Sequence, residues 1–177
     1  MYMHMKWVSV REFQNILKSN TQLYQDLYVR ETLTDKLLSK LGKTITEPTL
    51  KGTLDGNGQT IHNIPTQLFD EISEGSVLKN LTVSQSSIEG PALCRTNHGK
   101  IENVKVAADT TQRSKDSELG GLVSVNNGEI LNCSFEGTVQ GELNVGGISG
   151  VNKSSITDCI VQNSTIDNTK KSGGLTG

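Results

Sequence analysis

The 177-residue sequence is poor in the features that mark several large classes of protein. It has three prolines and a net charge of −2, whereas disordered chains are rich in proline or strongly charged. It contains no run of ~20 apolar residues, the length that a membrane-spanning helix needs. The three cysteines are an odd number without Cys-x-x-Cys spacing, which excludes a disulfide framework and a zinc finger.

Positive charge is also scarce, with 17 Lys and Arg residues against 19 Asp and Glu. The sequence has no cluster of Lys and Arg interleaved with aromatic residues, which is the usual mark of a nucleic-acid surface. We therefore expect no nucleic-acid partner and no insertion into a membrane.

The residues in excess are Gly, Asn, Ser and Thr, which together account for 67 positions. Helical bundles use mainly Ala, Leu, Glu and Lys instead. Gly and Asn favour tight turns, and Thr favours strands. The composition predicts a soluble, mainly β fold with many short strands and many turns.

Residues 1–49 differ from the rest, since five of the seven aromatic residues lie in the first 28 positions. Ser9 and Glu12 have the spacing of a capping box, which predicts a helix over residues 9–20. Its apolar face carries Phe13, Ile16 and Leu17. Residues 23–29 alternate like a strand, and residues 34–41 predict a second short helix. We interpret the region as a small α/β N-terminal cap over an open end of the repeats, with docking onto a partner as the alternative.

Residues 50–177 repeat with a period of about 26 residues, which indicates a solenoid. One set of equivalent positions follows a short apolar segment: Asn80, Asn103, Asn132 and Asp158. A second set closes each Gly-Gly step: Gly121, Gly147 and Gly174. A third set lies shortly after that step or its degenerate copy: Asn97, Asn126 and Asn152.

Strands this short cannot bury a face alone, so the period predicts coils stacked ~4.8 Å apart. The expected inward columns are Ile101, Ile130 and Ile156, and Val104, Cys133 and Cys159. We expect the third set of asparagines to stack at a corner, with a left-handed backbone and amide-to-amide hydrogen bonds. The glycines are expected where a Cβ would clash. Since residues 173–177 begin a further copy, we expect the parent protein to continue with more repeats.

Four segments, Gly52–Ile61, Gly121–Ser124, Gly147–Gly150 and Gly174–Gly177, resemble the GLUG-type repeats of bacterial surface and secreted proteins. This resemblance implies a right-handed parallel β-helix and an extracellular or cell-surface location, but no particular activity.

Three further segments are similar to the N-terminal repeat region of the Gram-positive IgA1-protease family of zinc metallopeptidases: Leu68–Ile72, Val77–Val83 and Gly146–Ile148. The likeness implies a cell-surface parent with a separate catalytic domain. The sequence lacks the His-Glu-x-x-His of that family, so no catalytic residue is carried over.

Candidates for acid–base catalysis are few. The polar stretch 108–119 reads as a solvated loop, and no acidic position recurs at the repeat period to form a row of carboxylates. The individual candidates are Asp109, Lys115 and Asp116, with Asp26 and Asp55 elsewhere.

Metal and nucleophile candidates are also weak. Asp55–Gly58 begins like a calcium loop but lacks the later ligands, so a tight turn is the better interpretation. The histidines, His4, His62 and His98, are scattered. We interpret Cys133 and Cys159 as buried hydrophobic residues. Four glycosylation sequons are expected by chance in this composition, at Asn80, Asn132, Asn152 and Asn163.

The sequence therefore predicts a cap at 1–49 and β-helix repeats at 50–177, with no catalytic, cofactor-binding or metal-binding residues. The expected function is that of a non-catalytic spacer, adhesion or substrate-presenting module. A region of a zinc metallopeptidase and a part of a carbohydrate-active β-helix enzyme are the alternatives. The candidate partners are a host or cell-surface protein, a glycan and adjacent domains of the parent.

Overall fold

The computed structural model describes residues 6–8, 27–29, 49–62, 67–112, 117–168 and 170–177. Every helix or strand assigned in these ranges is a β-strand. In chain order the strands are β1 (Lys6–Val8), β2 (Leu27–Val29), β3 (Thr49–Leu50), β4 (Thr53–His62), β5 (Phe69–Ile72), β6 (Val77–Glu89), β7 (Cys94–Asn97), β8 (Lys100–Thr111), β9 (Glu118–Gly120), β10 (Val123–Asn126), β11 (Glu129–Leu131), β12 (Ser134–Glu136), β13 (Thr138–Gly141), β14 (Leu143–Gly146), β15 (Ser149–Asn152), β16 (Ser155–Thr157), β17 (Ile160–Val161), β18 (Thr165–Asn168) and β19 (Ser172–Gly173).

These strands form three parallel sheets, the faces of a β-solenoid of about four turns. The first sheet has the order β1-β2-β4-β6-β8-β11-β16, the second β15-β10-β7-β5-β3 and the third β19-β14-β9. Along the first sheet, β12 and β13 pair with β8, while β17 and β18 pair with β12 and β13. This arrangement confirms the predicted mainly β, parallel solenoid. The equivalent strands β4, β6, β8, β11 and β16 are separated by four intervals of ~4.8 Å. The solenoid therefore rises by roughly 19 Å from β4 to β16.

Two strands of the N-terminal region continue the first sheet. Strand β2 pairs with β4, with Leu27 opposite Leu54, and β1 pairs with β2 in turn. The strand predicted at 23–29 is thus found over Leu27–Val29. The predicted helices, including Phe13, Ile16 and Leu17, lie outside the described residues.

The core is made of columns of apolar side chains in register between coils. One column runs through Leu54, Leu78, Ile101 and Ile130, each at most 1% exposed. Ile156 continues this column on the last coil, where it is only partly buried. Burial of each such side chain stabilises the fold by ~1.5–3 kcal/mol.

Two of the repeat glycines make room for a side chain of their own coil. A Cβ on Gly121 would overlap the ring of Phe135, and a Cβ on Gly147 would lie 2.6 Å from Cγ2 of Val161. Phe135 and Val161 lie opposite each other in register. At the third glycine, Gly174, an added Cβ would meet no heavy atom within 4 Å. The clash expected at Gly-Gly steps therefore applies to the first two positions.

Candidate functional site

A buried ladder of amides joins the ends of β7, β10 and β15. Nδ2 of Asn97 donates to Oδ1 of Asn126 at 2.8 Å, and Nδ2 of Asn126 donates to Oδ1 of Asn152 at 2.8 Å. Asn97 and Asn126 are fully buried. The structure therefore brings these three asparagines together, and the donors point towards the C-terminal coil.

The same amides also satisfy the backbone of the corner. Oδ1 of Asn126 accepts from the backbone N–H of Gly128 at 3.3 Å, and its Nδ2 also donates to the carbonyl of Ser155 at 3.1 Å. Asn97 makes the equivalent bonds with Gly99 and Glu129. Each bond contributes ~1 kcal/mol net, whereas a buried group left without a partner costs ~1–3 kcal/mol.

The expected left-handed backbone at these three corner asparagines is wrong. Instead, positive φ occurs in the other asparagine set, at Asn80 (55°), Asn103 (54°), Asn132 (51°) and Asp158 (53°). Asn and Asp tolerate this conformation better than other residues that carry a Cβ. The corner asparagines Asn97, Asn126 and Asn152 are the last residues of their strands. The asparagines with positive φ instead introduce a local change in the direction of the backbone.

This second set forms a ladder of its own, which starts at Asp55. Nδ2 of Asn80 donates to Oδ1 of Asp55 at 3.0 Å, Asn103 to Asn80 at 3.2 Å, and Asn132 to Asn103 at 2.6 Å. Its donors point towards the N-terminal coil, opposite to those of the buried ladder. Because a carboxylate has no N–H, Asp158 cannot continue the series.

Asp55 is thereby held inside the fold. The same Oδ1 accepts from the backbone N–H of Asn57 at 2.9 Å, and Nζ of Lys79 lies 3.8 Å from Oδ2. The tight turn predicted at Asp55–Gly58 takes the form of an irregularity inside β4, with positive φ at Asn57 and Gly58. The Asp55 carboxylate therefore stabilises both the irregularity in β4 and the first step of the ladder.

Of the remaining catalytic candidates, the described ranges include Asp109 alone. Asp109 lies on β8, where its Oδ1 accepts from the backbone N–H of Thr138 at 2.9 Å. Strand β8 includes residues 108–111 and β9 includes residues 118–119, so the predicted solvated loop is wrong at both ends: Asp109 bonds to the adjacent coil and Leu119 is buried in the core. Lys115, Asp116 and Asp26 lie outside the described residues.

The described ranges contain neither a group of metal ligands nor a membrane-crossing helix. Within them, no three His, Cys, Asp or Glu side chains are grouped so that they could hold a metal ion. His98 is exposed, His4 lies outside these ranges, and the side chain of His62 is not described. No membrane-crossing helix is found in the same part of the chain.

The cysteines form a feature that sequence reasoning underestimated. Cys133 and Cys159 occupy equivalent steps of adjacent coils, and their thiols also contact the carbonyls of Leu131 at 3.2 Å and Thr157 at 3.3 Å. Cys133 is buried, but Cys159 is half-buried. The interpretation as buried hydrophobic residues is confirmed for Cys133, whereas Cys159 packs against the same core but is only partly buried.

The two thiols differ in acidity. The neighbouring thiol of Cys133 lowers the pKa of Cys159 to about 7, because a thiol next to it stabilises the Cys159 thiolate. The proximity of Cys159, together with burial, raises the pKa of Cys133. Burial also raises the pKa of Cys94. The signal in the sequence was the recurrence of Cys at one repeat position.

A polar groove of about 570 Å³ crosses three coils. Its polar lining includes Gln67, Glu89, Arg95, Gln112, Glu118 and Ser124. Arg95 is held 3.3 Å from Asp70 by an ion pair. Arg95 and Ser124 are equivalent positions of adjacent coils, but Gln67, Glu89 and Glu118 are not, so the period gave no signal that these three would meet.

Comparison with known proteins relates part of the chain to a repeat family. The GLUG motif matches residues 116–140, which confirms the predicted GLUG-type resemblance for that repeat. Halomucin of Haloquadratum walsbyi is 32% identical over 114 residues, which cover 60% of this chain and 1% of halomucin. No solved structure matches the chain. The likeness to the zinc metallopeptidase family stays a prediction.

Proposed function

We propose that this chain is a non-catalytic β-solenoid module that spaces or presents neighbouring domains within a larger surface or secreted protein. The observation that carries the proposal is the continuous bonding between coils, by parallel strands on three faces and by the ladder of Asn97, Asn126 and Asn152, whose first two members are buried. Each coil is fixed to its neighbours, which makes a stiff element. The GLUG and halomucin matches support a repeat module in a surface or secreted setting.

The use of the carboxylates supports the non-catalytic part of this proposal. A general acid or base must present its carboxyl group to a substrate. Asp55 and Asp109 instead accept hydrogen bonds from the chain itself. Their side chains are thus assigned to holding coils together.

Hydrogen–deuterium exchange tests the stiffness of the module. We expect slow exchange to extend without interruption from β4 to β15, since a spacer requires all its coils to be bonded together. Protection confined to a single coil would contradict a stiff spacer.

A screen of the purified chain against polysaccharides and peptides tests the absence of catalysis. Turnover that is lost in Asp109→Asn or Glu118→Gln would contradict it.

The polar groove supports a second candidate function, binding of a glycan. Amide and carboxylate groups such as those of Gln112, Glu89 and Glu118 pair well with sugar hydroxyls. A glycan array with the native chain and with Gln112→Ala tests this function. Binding that the substitution weakens supports an adhesion role, and absence of binding leaves the spacer role. A carbohydrate-active enzyme would in addition cleave the bound glycan.

Another alternative is that the parent protein is a zinc metallopeptidase. It rests on the similar segments Leu68–Ile72 and Val77–Val83. Translation of the complete gene tests it, since a metallopeptidase parent must encode His-Glu-x-x-His outside this chain.

A further inference from the structure

Cys133 and Cys159 lie at the same step of two adjacent coils. On one side of them, Leu131 pairs with Thr157, and on the other side Ser134 pairs with Ile160. Adjacent parallel strands are ~4.8 Å apart, which falls within the Cα separation of ~4.4–6.8 Å that a disulfide spans. The backbone therefore already holds the two cysteines at bonding range.

The two side chains are also oriented alike on their coils. The Cys133 thiol donates to the carbonyl of Leu131 and the Cys159 thiol to that of Thr157, and these two residues are themselves paired between the coils. Both cysteines are free thiols in the structure. Cys94 is fully buried in the second sheet and forms no part of this pair.

The two sulfurs differ in access. Half-buried Cys159 lines an open cavity of about 520 Å³ on the last coil, beside Ile160 and Leu175, which are 57% and 44% exposed. Cys133 is only 2% exposed, and it borders a smaller cavity of about 290 Å³. In this chain the Cys159 thiol is therefore the more accessible of the two.

We propose that Cys133 and Cys159 are a redox-active pair that an oxidising disulfide such as glutathione disulfide converts into an inter-coil disulfide. The proposal does not depend on the spacer function, because it rests on local geometry. The bond closes a loop of one repeat and ties the last described coil to the one before it. Extracellular surroundings, which preserve disulfides, favour this oxidised form.

The reaction proceeds in two exchange steps. The Cys159 thiolate attacks one sulfur of glutathione disulfide, whose S–S bond breaks and releases one glutathione thiolate. Cys133 then gives up its proton and attacks the Cys159 sulfur, which displaces the second glutathione. One disulfide is reduced and one is formed. The two protons lost by the cysteines end on the two glutathione thiols.

The test is a count of free thiols after incubation with glutathione disulfide and denaturation. We expect the count to fall from three to one, and peptide mapping to show Cys133 linked to Cys159 with Cys94 free. A second readout is the midpoint of chemical unfolding, which we expect to rise on oxidation and to return on reduction. A count that stays at three would overturn the proposal, as would a disulfide between two chains.

Matched variants separate the roles of the two sulfurs. Val104 occupies the equivalent position on the preceding coil, so we expect the Cys133→Val variant to fold. It should keep glutathione on Cys159 as a mixed disulfide, because the resolving thiol is absent. Cys94→Ala should still lose two thiols. A mixed disulfide that persists equally in the native chain would overturn the proposal, since Cys133 would then not resolve it.

Discussion

Nδ2 of Asn97 donates to Oδ1 of Asn126 at 2.8 Å, between two fully buried side chains one coil apart. Asn126 passes the interaction on to Asn152 in the same geometry. A polar ladder inside a narrow apolar core fixes the register of the coils, because a shift by one residue would leave several buried groups without partners.

Asn126→Ala should therefore be strongly destabilising. The substitution removes one hydrogen bond from each of four groups, namely the side-chain amide of Asn97, the Gly128 N–H, the side-chain oxygen of Asn152 and the Ser155 carbonyl. We expect a loss of about 3 kcal/mol in the free energy of unfolding, measured by urea denaturation. Asn127→Ala, at a half-buried position beside the ladder, is the control. Equal losses in the two variants would contradict a stabilising role of the ladder.

Gly121→Ala and Gly174→Ala should differ although both change the same repeat position. A Cβ at Gly121 would overlap the buried ring of Phe135, whereas space around Gly174 is open. We expect Gly121→Ala to cost ~1–3 kcal/mol and Gly174→Ala to change stability by less than ~0.5 kcal/mol. Thermal unfolding of both variants measures the difference. A similar cost at both positions would show that backbone freedom, and not the clash, selects glycine there.

Much of this architecture could be predicted because the repeat period is visible in the residues. The column of Ile101, Ile130 and Ile156, spaced by 29 and 26 residues, follows from aligning the repeat copies, since parallel coils place equivalent residues in register. The period could not decide which asparagine set has positive φ. Both sets recur alike, and their backbone depends on whether the strand ends at the asparagine, as at Asn97, or resumes after it, as at Asn103.

The polar groove and the acidic thiol of Cys159 were harder to predict from the sequence, for a physical reason. The polar groove combines Gln67, Glu89 and Glu118, which come from different steps of three coils, so only the three-dimensional winding brings them together. The lowered pKa of Cys159 depends on the neighbouring thiol of Cys133. The spacing of the two cysteines in the sequence predicts that they stack, but it does not predict this pKa.

Asp158→Asn should stabilise the protein. The exposed ladder runs from Asn132 to Asn103 to Asn80, and the new amide could donate to Oδ1 of Asn132 with the same geometry. The positive φ of 53° at Asp158 suits asparagine equally well. We expect a gain of ~0.5–1 kcal/mol in the free energy of unfolding, measured by urea denaturation. Asp167→Asn, which also removes one negative charge from the last coil, is the control, and an equal gain there would assign the effect to charge.

The reactivity of Cys159 should depend on pH near neutrality. Its pKa is lowered to about 7, mainly by the thiol of Cys133, while burial and the neighbouring carboxylate of Asp158 act in the opposite direction. Only the thiolate is nucleophilic, so the alkylation rate should rise as pH increases through 7 and level off above it.

Cys133→Val removes the donor, which raises the pKa of Cys159 and lowers the thiolate fraction at pH 7. Iodoacetamide labelling followed by mass spectrometry should then show a rate at pH 7 lower by on the order of tenfold. Cys94, which is fully buried, should stay unlabelled and reports that the chain remains folded. An unchanged rate in Cys133→Val would mean that the neighbouring thiol does not set the acidity of Cys159.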